Sequence, residues 1–80
     1  MLKIIAKNVT AKLEKIVTGK VSCRWITKQM ICIEVSNEGF SYKYNRWYNK
    51  IELGGLNSTD IVGEFLDCYI SHIRNKFFKF

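Results

Sequence analysis

The 80-residue sequence predicts a small α+β fold in the order α-β-β-β-α, with a three-stranded antiparallel sheet and helices packed mainly on one face. Apolar residues recur at helical spacing near both ends of the chain. Three segments rich in β-branched and aromatic residues lie between them. Hydrophobic residues make up 48% of the chain, which has no proline and no repeat. We therefore expect one folded domain over residues 1–80.

Residues 2–17 are expected to form an amphipathic helix. Their apolar side chains lie three or four positions apart, and their Ala, Lys, Leu and Glu content favours a helix. Gly19 follows at a position that suits a left-handed C-cap. Residues 8–14 also alternate between polar and apolar side chains, so a strand is the alternative for this segment. The expected apolar stripe consists of Leu2, Ile5, Ala6, Val9, Leu13, Ile16 and Val17.

Three strands are predicted over residues 20–27, 29–36 and 40–47. The lengths of the two hairpin loops decide which side chains share a face, because side chains alternate along a strand. A loop of two or four residues around 37–39 collects the apolar residues of its two strands on one face, whereas a three-residue loop divides them. We expect the even loop there, and a three-residue loop at 27–29.

The aromatic row Phe40, Tyr42 and Tyr44 alternates with polar and basic residues. Such a pattern is typical either of a nucleic-acid platform or of a strand with one buried face. The expected register favours the second interpretation, with the rings in the core and the hydroxyl groups at its periphery.

The last helix is predicted over residues 59–76, after one irregular helical turn. Ser58 or Thr59 is expected to cap it, with acidic residues near its first turn and basic residues near its last. Its predicted apolar stripe consists of Ile61, Val62, Phe65, Leu66, Tyr69, Ile73 and Phe77.

The sheet face opposite the helices is expected to be open to solvent. It combines positive charge with large apolar side chains, a mixture that is favoured at interfaces. Stacking of bases on its tryptophan, with phosphates held by its basic residues, is the alternative use of this face. The expected members are Ser22, Arg24, Ile26, Met30, Cys32, Glu34, Ser41, Lys43, Asn45 and Trp47. The candidate binding residues among them are Arg24, Met30, Lys43, Asn45 and Trp47.

Charge is unevenly distributed along the chain. The net charge is +6, and residues 1–50 hold ten Lys or Arg against three Glu, whereas residues 51–80 hold three basic residues against four acidic ones. A basic field of this kind favours acidic or polyanionic partners. Lysine enrichment from an AT-rich genome is the alternative explanation, in which the solvated lysines have no specific role.

No sequence motif for catalysis, metal binding or a cofactor stands out. Cys68 and His72 lie four residues apart, which suits a nucleophile–base pair or two metal ligands, but no third orienting group is visible. Cys23 and Cys32 fall on opposite faces in the expected register, which argues against a shared zinc site. We therefore expect a protein that is not an enzyme and needs no metal or cofactor.

The cysteines and the hydropathy of the sequence indicate the compartment in which the protein is expected. Three cysteines without a CxxC spacing fit free thiols in a reducing cytoplasm. No apolar run reaches about 18 residues, and the start of the chain lacks the pattern of a secretory signal. We expect a cytoplasmic protein with no membrane partner.

Most of the chain is spanned by AKLEKIVTGKVSCRW, ICIEVSNEGFSYKY and KIELGGLNSTDIVGEFLDCYISHIRNKFF. With the order α-β-β-β-α and the VSNEG hairpin, these stretches resemble small proteins of phages and other mobile elements of low-GC bacteria. They are also similar to phage-encoded Cas9 inhibitors of the anti-CRISPR class. Those inhibitors are strongly acidic DNA mimics, whereas this chain is basic, so no binding residues are transferred from them.

The resemblance implies a non-enzymatic protein that inhibits or modulates a host protein or ribonucleoprotein complex by protein–protein contact. Direct nucleic-acid binding through the open sheet face is the alternative, supported by the basic residues. Dimerisation through the free third strand or the KFFKF tail is a further expectation, because an unpaired strand edge invites pairing.

Overall fold

The computed structural model describes residues 1–77 and confirms the predicted α+β class and element order. Its strands form one antiparallel sheet in the order β1-β2-β3. The KFFKF tail was proposed as a dimer contact, and its last three residues, 78–80, lie outside the described residues. The elements are α1 (Leu2–Glu14), β1 (Lys20–Trp25), β2 (Met30–Asn37), β3 (Phe40–Trp47), α2 (Lys50–Gly54) and α3 (Ser58–Phe77).

Both hairpin loops have a number of residues that agrees with the expectation, odd in the first hairpin and even in the second. Asn37 pairs with Phe40, which leaves a two-residue turn at 38–39. In the first hairpin the Ile26 N–H donates to the Met30 carbonyl at 2.8 Å, which leaves a three-residue loop. The predicted division of side chains between the two faces is therefore confirmed. Val21, Cys23 and Trp25 of β1 share a face with Ile31, Ile33 and Val35 of β2 and with Tyr42, Tyr44 and Arg46 of β3.

The helices cover this face, and their apolar side chains form the core with it. Phe65 of α3 lies between two rings of β3, with centroid distances of 5.8 Å to Tyr42 and 5.5 Å to Tyr44. Tyr69 stacks on Phe65 at 5.4 Å. The prediction that the tyrosine row belongs to the core is confirmed. The fully enclosed members of the core are Val9, Leu13, Ile31, Ile33, Val35, Tyr48, Ile61 and Phe65.

The first segment is a helix, which rules out the strand alternative, but it is shorter than predicted. It ends at Glu14, with Lys15 as its C-cap. The chain then turns to enter β1, and Ile16, predicted to belong to the apolar stripe, is exposed as a result. At the other end of α1, the indole N–H of Trp25 donates to the Leu2 carbonyl at 2.9 Å and fixes the helix on β1.

Gly19 does not cap α1, contrary to expectation. It lies in the connection to β1 with φ +123°, a conformation that side chains disfavour. A Cβ atom at this position would lie 2.6 Å from the Ser36 carbonyl oxygen. Glycine is therefore required here by the close approach of the backbone to β2.

The segment after β3 also differs in detail. The irregular turn is α2, where Asn49 and Glu52 form a reciprocal capping box. The cap of α3 is Asn57, whose side-chain oxygen accepts the Asp60 N–H at 2.9 Å. Ser58 and Thr59 were predicted as caps, but both lie inside the helix.

Candidate functional site

The open face of the sheet is organised in rows that run across the three strands. The registers place Arg24, Cys32 and Asn45 side by side, and the next row contains Ser22, Glu34 and Lys43. At one end of the sheet, Met30 pairs with Trp47 and receives the backbone hydrogen bond from Ile26. We call the row Ile26–Met30–Trp47 the apolar row.

All five predicted binding residues lie on this face. Trp47 and Met30 belong to the apolar row, Arg24 and Asn45 to the row beside it, and Lys43 to the third row. Lys20 also points to this face, because it lies two residues before Ser22 in β1. It was not among the expected members, although the same alternation includes it.

The apolar row is a contiguous exposed surface. Trp47 is 52% exposed and Ile26 is 50% exposed, with Met30 partly exposed between them. Directly opposite side chains on neighbouring antiparallel strands lie about 4.5–5.5 Å apart at Cβ. The indole, thioether and sec-butyl groups therefore form one apolar strip across the end of the sheet.

The charge of the open face is partly compensated. Arg24 forms an ion pair with Glu34 at 3.7 Å, and both side chains are well exposed. Glu34 is also the cross-strand neighbour of Lys43. Such a surface pair contributes about 0–1 kcal/mol to stability, so Arg24 is readily released to a partner. The acidic group in the centre nevertheless weakens the attraction of this face for a polyanion.

Cys32 lies on the open face but is almost fully buried. Arg24 and Asn45 are its neighbours across the strands. Burial and the nearby Glu34 carboxylate raise the pKa of its thiol, which donates to Glu34 at 3.7 Å. A protonated, enclosed thiol packs as a small apolar side chain and is a poor nucleophile.

Arg46 lies in β3, the strand of the aromatic row, but does not contribute to the open face. It points to the helix side, where it contacts Glu64 and Glu52 at 3.2 Å each. Its guanidinium group also lies 4.4 Å from the centre of the Tyr48 ring. This cluster joins the end of β3 to α2 and α3.

Tyr48 is a core residue that sequence reasoning did not identify. Its ring is enclosed, and its hydroxyl donates to Glu64 at 2.9 Å. Burial and the hydrogen bond to Glu64 raise the pKa of this hydroxyl. Tyr48 lies one residue beyond β3, but it continues the alternation of Tyr42, Tyr44 and Arg46 toward the helix side, and this continuation was an available signal.

The Cys68–His72 pair does not form a built site. Cys68 is exposed, whereas the His72 ring packs against Tyr42 with a centroid distance of 4.7 Å. Within residues 1–77, no group of three or more His, Cys, Asp or Glu side chains is arranged to hold a metal ion. Cys23 and Cys32 do face opposite sides of the sheet, as expected.

None of the helices within residues 1–77 combines the length and apolar character of a membrane span. Comparisons of the chain with protein-family models, curated proteins and solved structures give no match.

Proposed function

We propose that this chain is a non-enzymatic binding protein that contacts a partner protein through the open face of its sheet. The observation that carries this proposal is the apolar row, in which Ile26, Met30 and Trp47 remain exposed beside charged residues. Large aromatic side chains at the centre of an interface commonly supply most of its binding free energy. Trp47 would be the anchor, and the apolar row would be the surface that loses water on binding.

The charged rows favour an acidic partner surface. Lys20, Arg24 and Lys43 point to the same face. Glu34 is the only acidic side chain in the two rows that contain Arg24 and Lys43. Basic groups at the rim of an interface mainly accelerate association and select partners of opposite charge. A protein surface with an apolar centre and acidic rim fits this arrangement.

The resemblance to phage-encoded inhibitors supports a nucleoprotein complex as the partner. In this proposal the protein acts in the host cytoplasm and inhibits or modulates that complex by occupying a protein surface. Mimicry of DNA is not part of the proposal, because a net charge of +6 is opposite to that of a DNA mimic.

Direct binding of nucleic acid is the second candidate, favoured by Lys20, Arg24 and Lys43 on one face. Trp47 offers a single ring for stacking, and Glu34 lies among the cations. Platforms that bind single strands generally combine several stacking rings with a continuous positive groove. The arrangement therefore supports a protein partner better.

The test is a pull-down from host lysate, with and without nuclease treatment. We expect the wild type and Ile70→Ala to retain one defined protein after nuclease treatment, and Trp47→Ala to lose it. Ile70 is a matched control because it is 51% exposed, against 52% for Trp47. It lies on α3 and therefore outside the open face. Loss of all bound material after nuclease treatment would contradict the proposal.

The salt dependence of binding separates the two candidates further. For nucleic acid, the logarithm of the affinity falls linearly with the logarithm of salt concentration, with a slope near one per phosphate contact. We expect a shallower dependence for the recovered protein, and a larger effect of Trp47→Ala than of Lys43→Ala. A steep slope that Lys43→Ala reduces by about one would favour nucleic acid instead.

A further inference from the structure

A second surface, which shares only Ile26 with the apolar row, lies along the outer edge of β1. A groove of about 690 Å³ is lined on one side by α1 and on the other by β1 and the loop that follows it. Its lining includes Cys23 and Trp25, which point to the covered face, and Arg24, which points to the open face. A groove that touches side chains of both faces runs along the strand edge itself.

The backbone of this edge is directed into the groove. β1 has a neighbour on one side only, because the strand order is β1-β2-β3. The bond from Ile26 to Met30 identifies a hydrogen-bonded pair, and such pairs alternate along an antiparallel ladder. The N–H and C=O groups of Cys23 and Trp25 therefore point away from β2, where a further strand could pair with them.

The groove has an apolar floor and a basic rim. Leu2 and Ala6 of α1 line it together with Trp25, whose indole N–H donates to the Leu2 carbonyl. Lys3 and Lys7, one helical turn apart, and Lys28 of the loop lie at the rim. No acidic residue of the described chain lines the groove, and within residues 1–77 these three lysines form no ion pair.

We propose that this groove binds an extended acidic peptide of a partner protein by β-strand addition to β1. The peptide backbone pairs with the free N–H and C=O groups of the edge. Because side chains alternate along an added strand, apolar residues lie on Trp25 and α1 while acidic residues face Arg24 and Lys28. The ligand class is a segment in which acidic and apolar residues alternate.

Charge complementarity favours such a peptide over a second copy of the chain. Pairing of β1 with β1 about a two-fold axis would bring two basic rims together. With the axis at Arg24, this residue would oppose its own copy and Lys28 would oppose Lys20, and directly opposed like charges destabilise a strand pair. An acidic segment meets the same cations with opposite charge.

The experiment uses the full chain with Trp47→Phe, which leaves Trp25 as the only tryptophan. The probe is a synthetic peptide of about eight residues with alternating glutamate and valine, enough to span β1. Its control is a peptide of the same composition with the glutamates and valines in separate blocks. Because the remaining indole is that of Trp25, the fluorescence change reports the groove and not Trp47 of the apolar row.

We expect saturable changes in Trp25 fluorescence with the alternating peptide, and amide hydrogen exchange at Cys23 and Trp25 slowed by about tenfold or more. The pair Lys3→Glu and Lys28→Glu should weaken binding by about tenfold or more. The matched pair Lys15→Glu and Lys50→Glu has the same net charge and lies outside the groove, so it should retain the affinity.

Four results would overturn the proposal. Absence of saturable binding is the first. Equal binding of the blocked peptide, or equal losses in both lysine pairs, would indicate unspecific charge attraction. Protection of the β1 amides that rises with protein concentration in the absence of peptide would assign the edge to a second copy of the chain.

Discussion

The two faces of the sheet are built from alternate residues of the same three strands, and they differ in composition and contacts. On the helix side, Ile33 and Val35 are fully enclosed, with Tyr44 and Tyr42 beside them on β3. On the open side, the same strands present Arg24, Lys43 and Trp47 to solvent. Stability is therefore concentrated on one face, which leaves the other available for recognition.

The helix side also holds a cluster of polar side chains that connects the end of β3 to α2 and α3. Arg46 bridges Glu52 and Glu64, and Tyr48 donates to Glu64 from inside the core. The open side has one weak ion pair, between Arg24 and Glu34. Polar contacts on the helix side are therefore structural, whereas those on the open side are free to exchange for a partner.

Truncation in the centre of the covered face should have the largest effect on stability. Ile33→Ala and Phe65→Ala should each lower the free energy of unfolding by about 2–5 kcal/mol, because both side chains are fully enclosed and would leave cavities. Urea unfolding measures the change. A loss below about 0.5 kcal/mol for both variants would show that the faces are assigned incorrectly.

Removal of the buried hydroxyl should have the next largest effect. Tyr48→Phe deletes the donor to Glu64 and should cost about 1.5–3 kcal/mol, the range for a hydrogen bond to a charged group. Tyr44→Phe is the control, because its hydroxyl forms no side-chain hydrogen bond within residues 1–77. Equal losses for the two variants in urea unfolding would contradict a specific role of the Tyr48–Glu64 bond.

Alkaline pH should weaken the covered face through Cys23. Burial raises the pKa of its thiol from 9.0 to about 12. Since the folded state holds this proton more tightly, the stabilisation is complete below pH 9.0 and is lost as the pH rises toward about 12. The slope is at most about 1.4 kcal/mol per pH unit.

The stability profile of Cys23→Ala should consequently be flatter than that of the wild type between pH 8 and pH 11. Cys68→Ala is the control, because Cys68 is exposed and contacts solvent in both states. Tyrosines titrate in the same range but are present in all three proteins. Parallel profiles for wild type and Cys23→Ala would contradict the assignment of Cys23 to the core.

Much of the fold could be predicted because the number of residues in a hairpin loop decides whether the apolar residues of its two strands share one face. Only a two- or four-residue loop before Phe40 places Val35 and Tyr42 on one face, and the structure has the two-residue loop. The open face could be predicted from the same alternation, since it consists of the strand residues whose side chains point away from the core. The placement of the candidate residues therefore needed no knowledge of long-range contacts.

Other features depend on contacts that a single sequence does not display. The enclosure of Tyr48 and the partners of Arg46 require the positions of α2 and α3 at the end of β3. Gly19 is needed by the approach of Ser36, seventeen residues away, and the end of α1 is set by the turn into β1. Cys32 is almost fully buried although its register places it on the open face, which alternation alone does not reveal.

The most direct test compares stability and partner affinity in one variant, Arg24→Ala with Lys43→Ala and Trp47→Ala. These side chains lie on the open face, so the free energy of unfolding should change by less than about 1 kcal/mol. The affinity for the protein recovered after nuclease treatment should fall by about 2 kcal/mol or more, with Trp47 contributing most. Unchanged affinity in the folded variant would show that the open face is not the binding site.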